Sequence, residues 1–184
     1  MNRRQFLTIG VAIPVALVAA PVVIGAQRHY DLDELVNELQ HLPWGALHNN
    51  GGEWNVSQVL QHCAQSIQYS LQGYPQMFST AFQYTAGTAA ATVFRALGSM
   101  RHNLNEEIPG GYRLEENLSV GAALHQLVSS IHDFQYFDGQ LQPHFAYGAL
   151  DKEAYTAAHW LHIRNHLNAF VALESADETE QEPV

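Results

Sequence analysis

Residues 54–75, WNVSQVLQHCAQSIQYSLQGYP, place Val56, Leu60, Cys63, Ile67 and Leu71 three or four positions apart. That is the period of an α-helix with one buried face. The stretch Trp54-Asn55-Val56-Ser57 carries residues that cap a helix start, and Gly73-Tyr74-Pro75 stops the helix. His62 lies on it beside Cys63.

The same period recurs on both sides. Upstream, Asp31 to Gln40 opens with acids suited to a helix N-terminus and spaces Leu32, Leu35, Val36 and Leu39 at helical intervals, before Pro43 to Gly52 breaks the chain. Downstream, an alanine-rich helix is expected from about Thr80 to Ser99, where Ala86, Gly87, Ala89, Ala90 and Ala91 would let another helix approach closely. A fourth, capped by Ser119, runs to about Tyr136 with Leu124, Leu127, Val128 and Ile131 facing inward. Asp151 opens the last, which is expected to reach about Leu173. Between the third and fourth, Arg101 to Asn117 is long for a connection inside a compact domain, a length typical of functional or draped loops. No useful alternating strand pattern and no fixed-period repeat appear. Four long helices and a short N-terminal one predict an all-α bundle.

Composition bounds the function. The 184 residues, 47% hydrophobic, suffice for one domain with its own core. Met1-Asn2-Arg3-Arg4-Gln5-Phe6-Leu7, followed by an apolar run from Ile9 to Ala26, resembles a twin-arginine export signal. Its length, close to the ~20 residues that span a bilayer, equally suits an uncleaved membrane anchor. Residues 1–26 are therefore set apart as signal or anchor, 27–173 as the helical domain, and the acid-rich 174–184 as a solvated tail. Either reading of the N-terminus sends the domain across the cytoplasmic membrane, to the periplasm or the membrane's outer face. Formal charge is −10, so nucleic acid is not an expected partner. Cys63 is the only cysteine, which leaves no intramolecular disulfide to hold an exported fold.

The chemistry concentrates in Tyr155-Thr156-Ala157-Ala158-His159-Trp160-Leu161-His162-Ile163-Arg164-Asn165-His166-Leu167. On a helix His162 and His166 lie about 40° apart and His159 roughly 60° from His162, so all three point to one side. Neutral imidazoles at i, i+4 grip a divalent ion together, and a further ligand must come from another helix, where His62 is available. With 11 histidines in the chain, a surface pair arising by chance is the competing reading.

From about Trp54 to Phe170 the sequence resembles the DinB-like superfamily of metal-binding four-helix bundles, in a bacterial branch of unknown function. The resemblance rests on His62, on Ile108-Pro109-x-Gly111, on Pro143-His144-Phe145-x-Tyr147-Gly148-x-Leu150, and on His162-x-x-x-His166-Leu167 followed by Phe170. It implies that His62, His162 and His166 bind one divalent ion. Zn²⁺ is the first expectation, with Ni²⁺ or Fe²⁺ as alternatives, because three imidazoles with open positions do not select among them. His159 is assigned an outer or rim role, or none, and His144 the fixing of a turn by hydrogen bonds. His125 and His132 are expected to be surface or core polar residues, and Cys63 an inert core residue. Packing is the expected role of Tyr155, and Trp54, Trp160 and Phe170 are expected in the core.

Two functions remain open at this level. One is a metal-dependent thiol transferase or hydrolase acting on a small molecule, in which the ion lowers the pKa of a thiol or of water. The other is a non-catalytic metal-binding or structural module at the outer face of the membrane, with a homodimer through its bundle faces as one arrangement open to it. A di-iron carrier is disfavoured because the expected Glu-x-x-His pairs are absent.

Overall fold

The structure is a computed structural model that describes residues 29–172. The twin-arginine-like segment and the acidic tail lie outside the described residues.

Helix α1 (Leu32–His41) begins at Asp31, whose carboxylate accepts hydrogen bonds from the N–H groups of Asp33 and Glu34. Helix α2 (Val56–Gln72) begins at Asn55 in a reciprocal cap with Gln58 and ends at Gly73, whose φ of 106° few other residues adopt. Helices α5 (Val120–Tyr136) and α6 (Lys152–Leu167) are capped by Ser119 and Asp151. These four make the core. Leu35 and Leu39 of α1 meet Leu60, Cys63 and Ile67 of α2, Leu127, Ile131 and Phe134 of α5, and Tyr155 and Ile163 of α6. An Arg164 fork on both carboxylate oxygens of Glu38 clamps α6 to α1. The chain is an all-α bundle, and among the described residues no helix is long and apolar enough to cross a membrane.

Helix α2 is central in a way its apolar spacing does not announce. From Val56 to Ser70 every residue except Gln58 and Gln68 is buried. Its second face is polar, with Ser57, Gln61, His62, Gln65, Ser66 and Ser70 out of solvent.

The alanine-rich segment departs from the expected single helix. It comprises α3 (Thr80–Phe82), a π-helical turn (Gln83–Gly87) and α4 (Thr88–Leu97), closed by Gly98 at φ 65°. Gly87 among its small residues receives a loop, while α4 lies against α6, where Arg95 reaches Glu153. A Cβ on Gly87 would stand 1.9 Å from the carbonyl oxygen of Ala146, so the segment touches the loop before α6 backbone to backbone. No side chain of α4 is fully buried, and Phe82, Tyr84, Val93 and Leu97 are exposed. Gly87→Ala should therefore destabilise by about 1–3 kcal/mol, the usual cost of overpacking, read as a lower thermal midpoint.

Helix α6 stops at Leu167, short of the expected Leu173. Phe170–Ala172 instead forms strand β2, antiparallel to β1 (Leu47–Asn49), with Leu47 opposite Ala172 and Asn49 opposite Phe170. The Pro43 to Gly52 stretch thus supplies a strand as well as a break. The Phe170 ring meets the Trp44 ring edge-on at 5.8 Å, which seats this ribbon on the core.

Candidate metal centre

The polar face of α2 holds the α4–α5 loop in place. Gln61 pairs with the Glu115 peptide through both ends of its amide, accepting from the N–H at 2.9 Å and donating to the C=O at 2.8 Å. Gln65 donates to the Tyr112 carbonyl at 2.9 Å, and Asn55 to the Glu116 carbonyl at 3.0 Å. The loop turns at Ile108-Pro109-Gly110-Gly111, where the Gly111 N–H donates to the Ile108 carbonyl and Gly110 takes φ 71°. Ile108 packs with Tyr69, Tyr74 and Phe145. The long loop, expected to be functional or draped, is thus a roof pinned to α2 by hydrogen bonds.

Under that roof α2 and α6 bring His62, His162 and His166 together. One nitrogen from each lies within 4.8 Å of the other two. Nε2 of His62 and Nε2 of His162 stand 3.2 Å apart, and the Trp54 ring packs on His62 at 4.8 Å. Burial, then the neighbouring His102, lowers the His62 pKa to about 3. Burial, then His62 and His102, lowers that of His166 to about 2, and His162 is pushed well below its ordinary value. The imidazoles are therefore neutral at pH 7, the form that offers lone pairs to a cation.

The residues suit a metal ion on two observations. A Zn–N bond of about 2.0–2.1 Å puts tetrahedral neighbours roughly 3.3 Å apart, close to the His62–His162 spacing. Nε2 of His166 is buried without a hydrogen-bond partner, and an orphaned nitrogen of this kind is costly unless something binds it.

The fourth imidazole was not singled out in the sequence. His102, on the roof loop, places its ring centroid 5.1 Å from those of both His162 and His166. Only its place in the long Arg101 to Asn117 connection could have pointed to it.

His159 stands apart from the triad, on the cavity lining. Its Nε2 donates to Ser70 Oγ at 3.1 Å, because that hydroxyl spends its own proton on the Ile67 carbonyl. Its ring lies against Tyr155 at 5.2 Å. His144 fixes a turn as expected, its Nδ1 accepting from the N–H groups of Ala146 and Tyr147 while its ring stacks on Tyr147 at 4.2 Å. His125 and His132 are exposed. Cys63 is buried in the apolar core, where desolvation pushes its thiol far up and leaves it inert. Trp54, Trp160 and Phe170 are half-buried and packed against the core.

A cavity of about 250 Å³ opens beside the centre. His62, His102, His144, His159 and His162 line it, Phe78, Phe82 and Phe145 give it aromatic walls, and the exposed Glu106 and Glu107 stand at its rim. Burial, then the Glu106 carboxylate, raises the phenol of Tyr147 in its wall to about 12.

The profile of a family described as proteins of unknown function, DUF1569, matches residues 26–173. The chain belongs to the DUF1569 family. No curated protein and no solved structure matches it. The matched span contains every residue of the DUF1569 site just described, from His62 to His166.

Proposed function

We propose that this DUF1569 protein is an exported metalloenzyme of the DinB-like kind, acting on a small molecule by thiol transfer or hydrolysis. The observation that carries the reading is three neutral imidazoles converging, that of His166 with an orphaned buried nitrogen, while His62 and His162 also line a cavity large enough for a small ligand. Export rests on Arg3-Arg4-x-Phe6-Leu7 and the apolar run behind it. A non-catalytic module would have no use for such a cavity.

His62, His162 and His166 would hold the ion, Zn²⁺ in the first place, with Ni²⁺ or Fe²⁺ as competitors. Once bound, it supplies a Lewis acid that lowers the pKa of a thiol or of water. Phe78, Phe82 and Phe145 take the apolar body of a ligand and shed its water. Glu106 and Glu107 give the rim a negative field that repels anions and admits neutral or cationic molecules. Trp54 holds the His62 ring from the side.

The test is elemental analysis of the purified chain beside the His162→Ala/His166→Ala double variant, with circular dichroism to show that both fold. About one divalent ion per chain in the parent and none in the variant is expected. A folded parent that holds no more metal than the variant after incubation with Zn²⁺, Ni²⁺ and Fe²⁺ sinks the reading.

A further inference from the structure

We infer that His102 is a fourth protein ligand to the ion held by His62, His162 and His166, so that the α4–α5 loop is fastened to the bundle through the metal. The inference rests on the metal reading above and deepens it, because it concerns what completes the coordination.

Its tautomer is the first argument. Nδ1 of His102 lies 2.9 Å from the carbonyl oxygen of Asn103, and a carbonyl can only accept, so the ring proton sits on Nδ1. Nε2 is then a bare lone pair. That nitrogen is buried and has no hydrogen-bond partner. A backbone carbonyl holding one imidazole nitrogen while the other faces a metal is the usual arrangement of ligating histidines.

Position is the second. The centroid spacing of His102 from His162 and His166, 5.1 Å to each, matches the 4.9–5.1 Å spacings within the triad. The ring therefore packs against two of the three triad rings as closely as those rings pack against each other. His102 stands just outside the group whose nitrogens all lie within 4.8 Å. A side chain on a loop closes that remaining gap more readily than one fixed on a helix.

The surroundings supply the third. His102 lines the cavity beside His62 and His162, so this ligand from the roof borders the substrate space. Three imidazoles on two helices give an open site, and a fourth on a loop gives one that opens when the loop lets go. The loop is held to α2 by side-chain contacts such as those of Gln61 and Gln65, so releasing His102 requires no helix to move.

The experiment titrates the full chain with Co²⁺ and Zn²⁺ and follows the visible Co²⁺ absorption, for the parent, His102→Ala and His102→Gly, with proteolysis of the 98–119 loop in parallel. His102→Ala should bind metal at least about 10–100-fold more weakly, the cost of losing even an outer partner of a metal ligand. Its Co²⁺ spectrum should change, free imidazole should restore the parental spectrum to His102→Gly, and metal should protect the loop in the parent alone. Equal affinity and an identical spectrum in parent and His102→Ala overturn the fourth ligand while leaving the triad intact. A folded parent that binds neither ion overturns both.

Discussion

Acidifying the metal-free protein unfolds it between about pH 5 and pH 4, well before its carboxylates are all protonated. Its buried, neutral histidines are the cause, His144 and His159 first among those outside the triad. Burial, then each one's neighbour (His159 for His144, Lys152 for His159), lowers both pKa values from 6.5 to about 3. Between those values the unfolded chain binds more protons than the folded one, so stability is complete above pH 6.5 and falls as pH drops through the window. Each histidine contributes a slope of about 1.4 kcal/mol per pH unit, and the pair reaches on the order of 10 kcal/mol across the window. That is the size of the whole stability of a small domain. His62 and His166 shift in the same direction and steepen the fall. Ellipticity against pH in the presence of a chelator measures it, and His159→Gln should flatten the slope by about one proton. A stability that stays level from pH 6.5 to pH 4 would contradict the neutral burial of these rings.

Replacing Tyr155 separates packing from hydrogen bonding at the heart of α6. The residue is fully buried, meets Phe134 at 6.4 Å and His159 at 5.2 Å, and donates its hydroxyl proton to the Gln142 carbonyl at 2.6 Å. Tyr155→Ala removes a large ring from a close-packed centre and should cost about 3–5 kcal/mol. Tyr155→Phe keeps the ring and abandons the carbonyl, for about 1–3 kcal/mol. Urea unfolding of both variants checks the order. A phenylalanine variant as damaged as the alanine one would show that the hydroxyl, and not the ring, holds the loop before α6.

Helical spacing is a local property, and what depends on it was legible. The apolar faces of α1, α2 and α5 follow from side chains repeating every three or four residues. His162 and His166 share a side for the same reason, whatever packs against them. Predicting His62 beside them needed the family resemblance as well, since nothing in a sequence period says which two helices touch.

The third helix shows the limit. Its alanines read as a surface for another helix, whereas Gly87 in fact admits the Ala146 carbonyl, and the preference for small residues is the same in both cases. The end of α6 shows another. Phe170 continues a helical pattern, but pairing with Leu47–Asn49 offers its backbone partners that a frayed last turn lacks. His102 shows a third, since a loop has no period to mark which of its side chains turn inward.

The sequence alone determined the all-α class, the helix starts at Asp31, within Trp54–Ser57, at Ser119 and at Asp151, and the histidine pair on α6, because each depends on neighbours a few residues away. Tertiary structure decided that the polar face of α2 is buried under a loop. It decided that His159 turns to Ser70 rather than to the triad, and that the His102 ring, 40 residues beyond His62, packs against those of His162 and His166. Those outcomes depend on which groups long-range packing brings within hydrogen-bond and ligand distance, and no local periodicity encodes that.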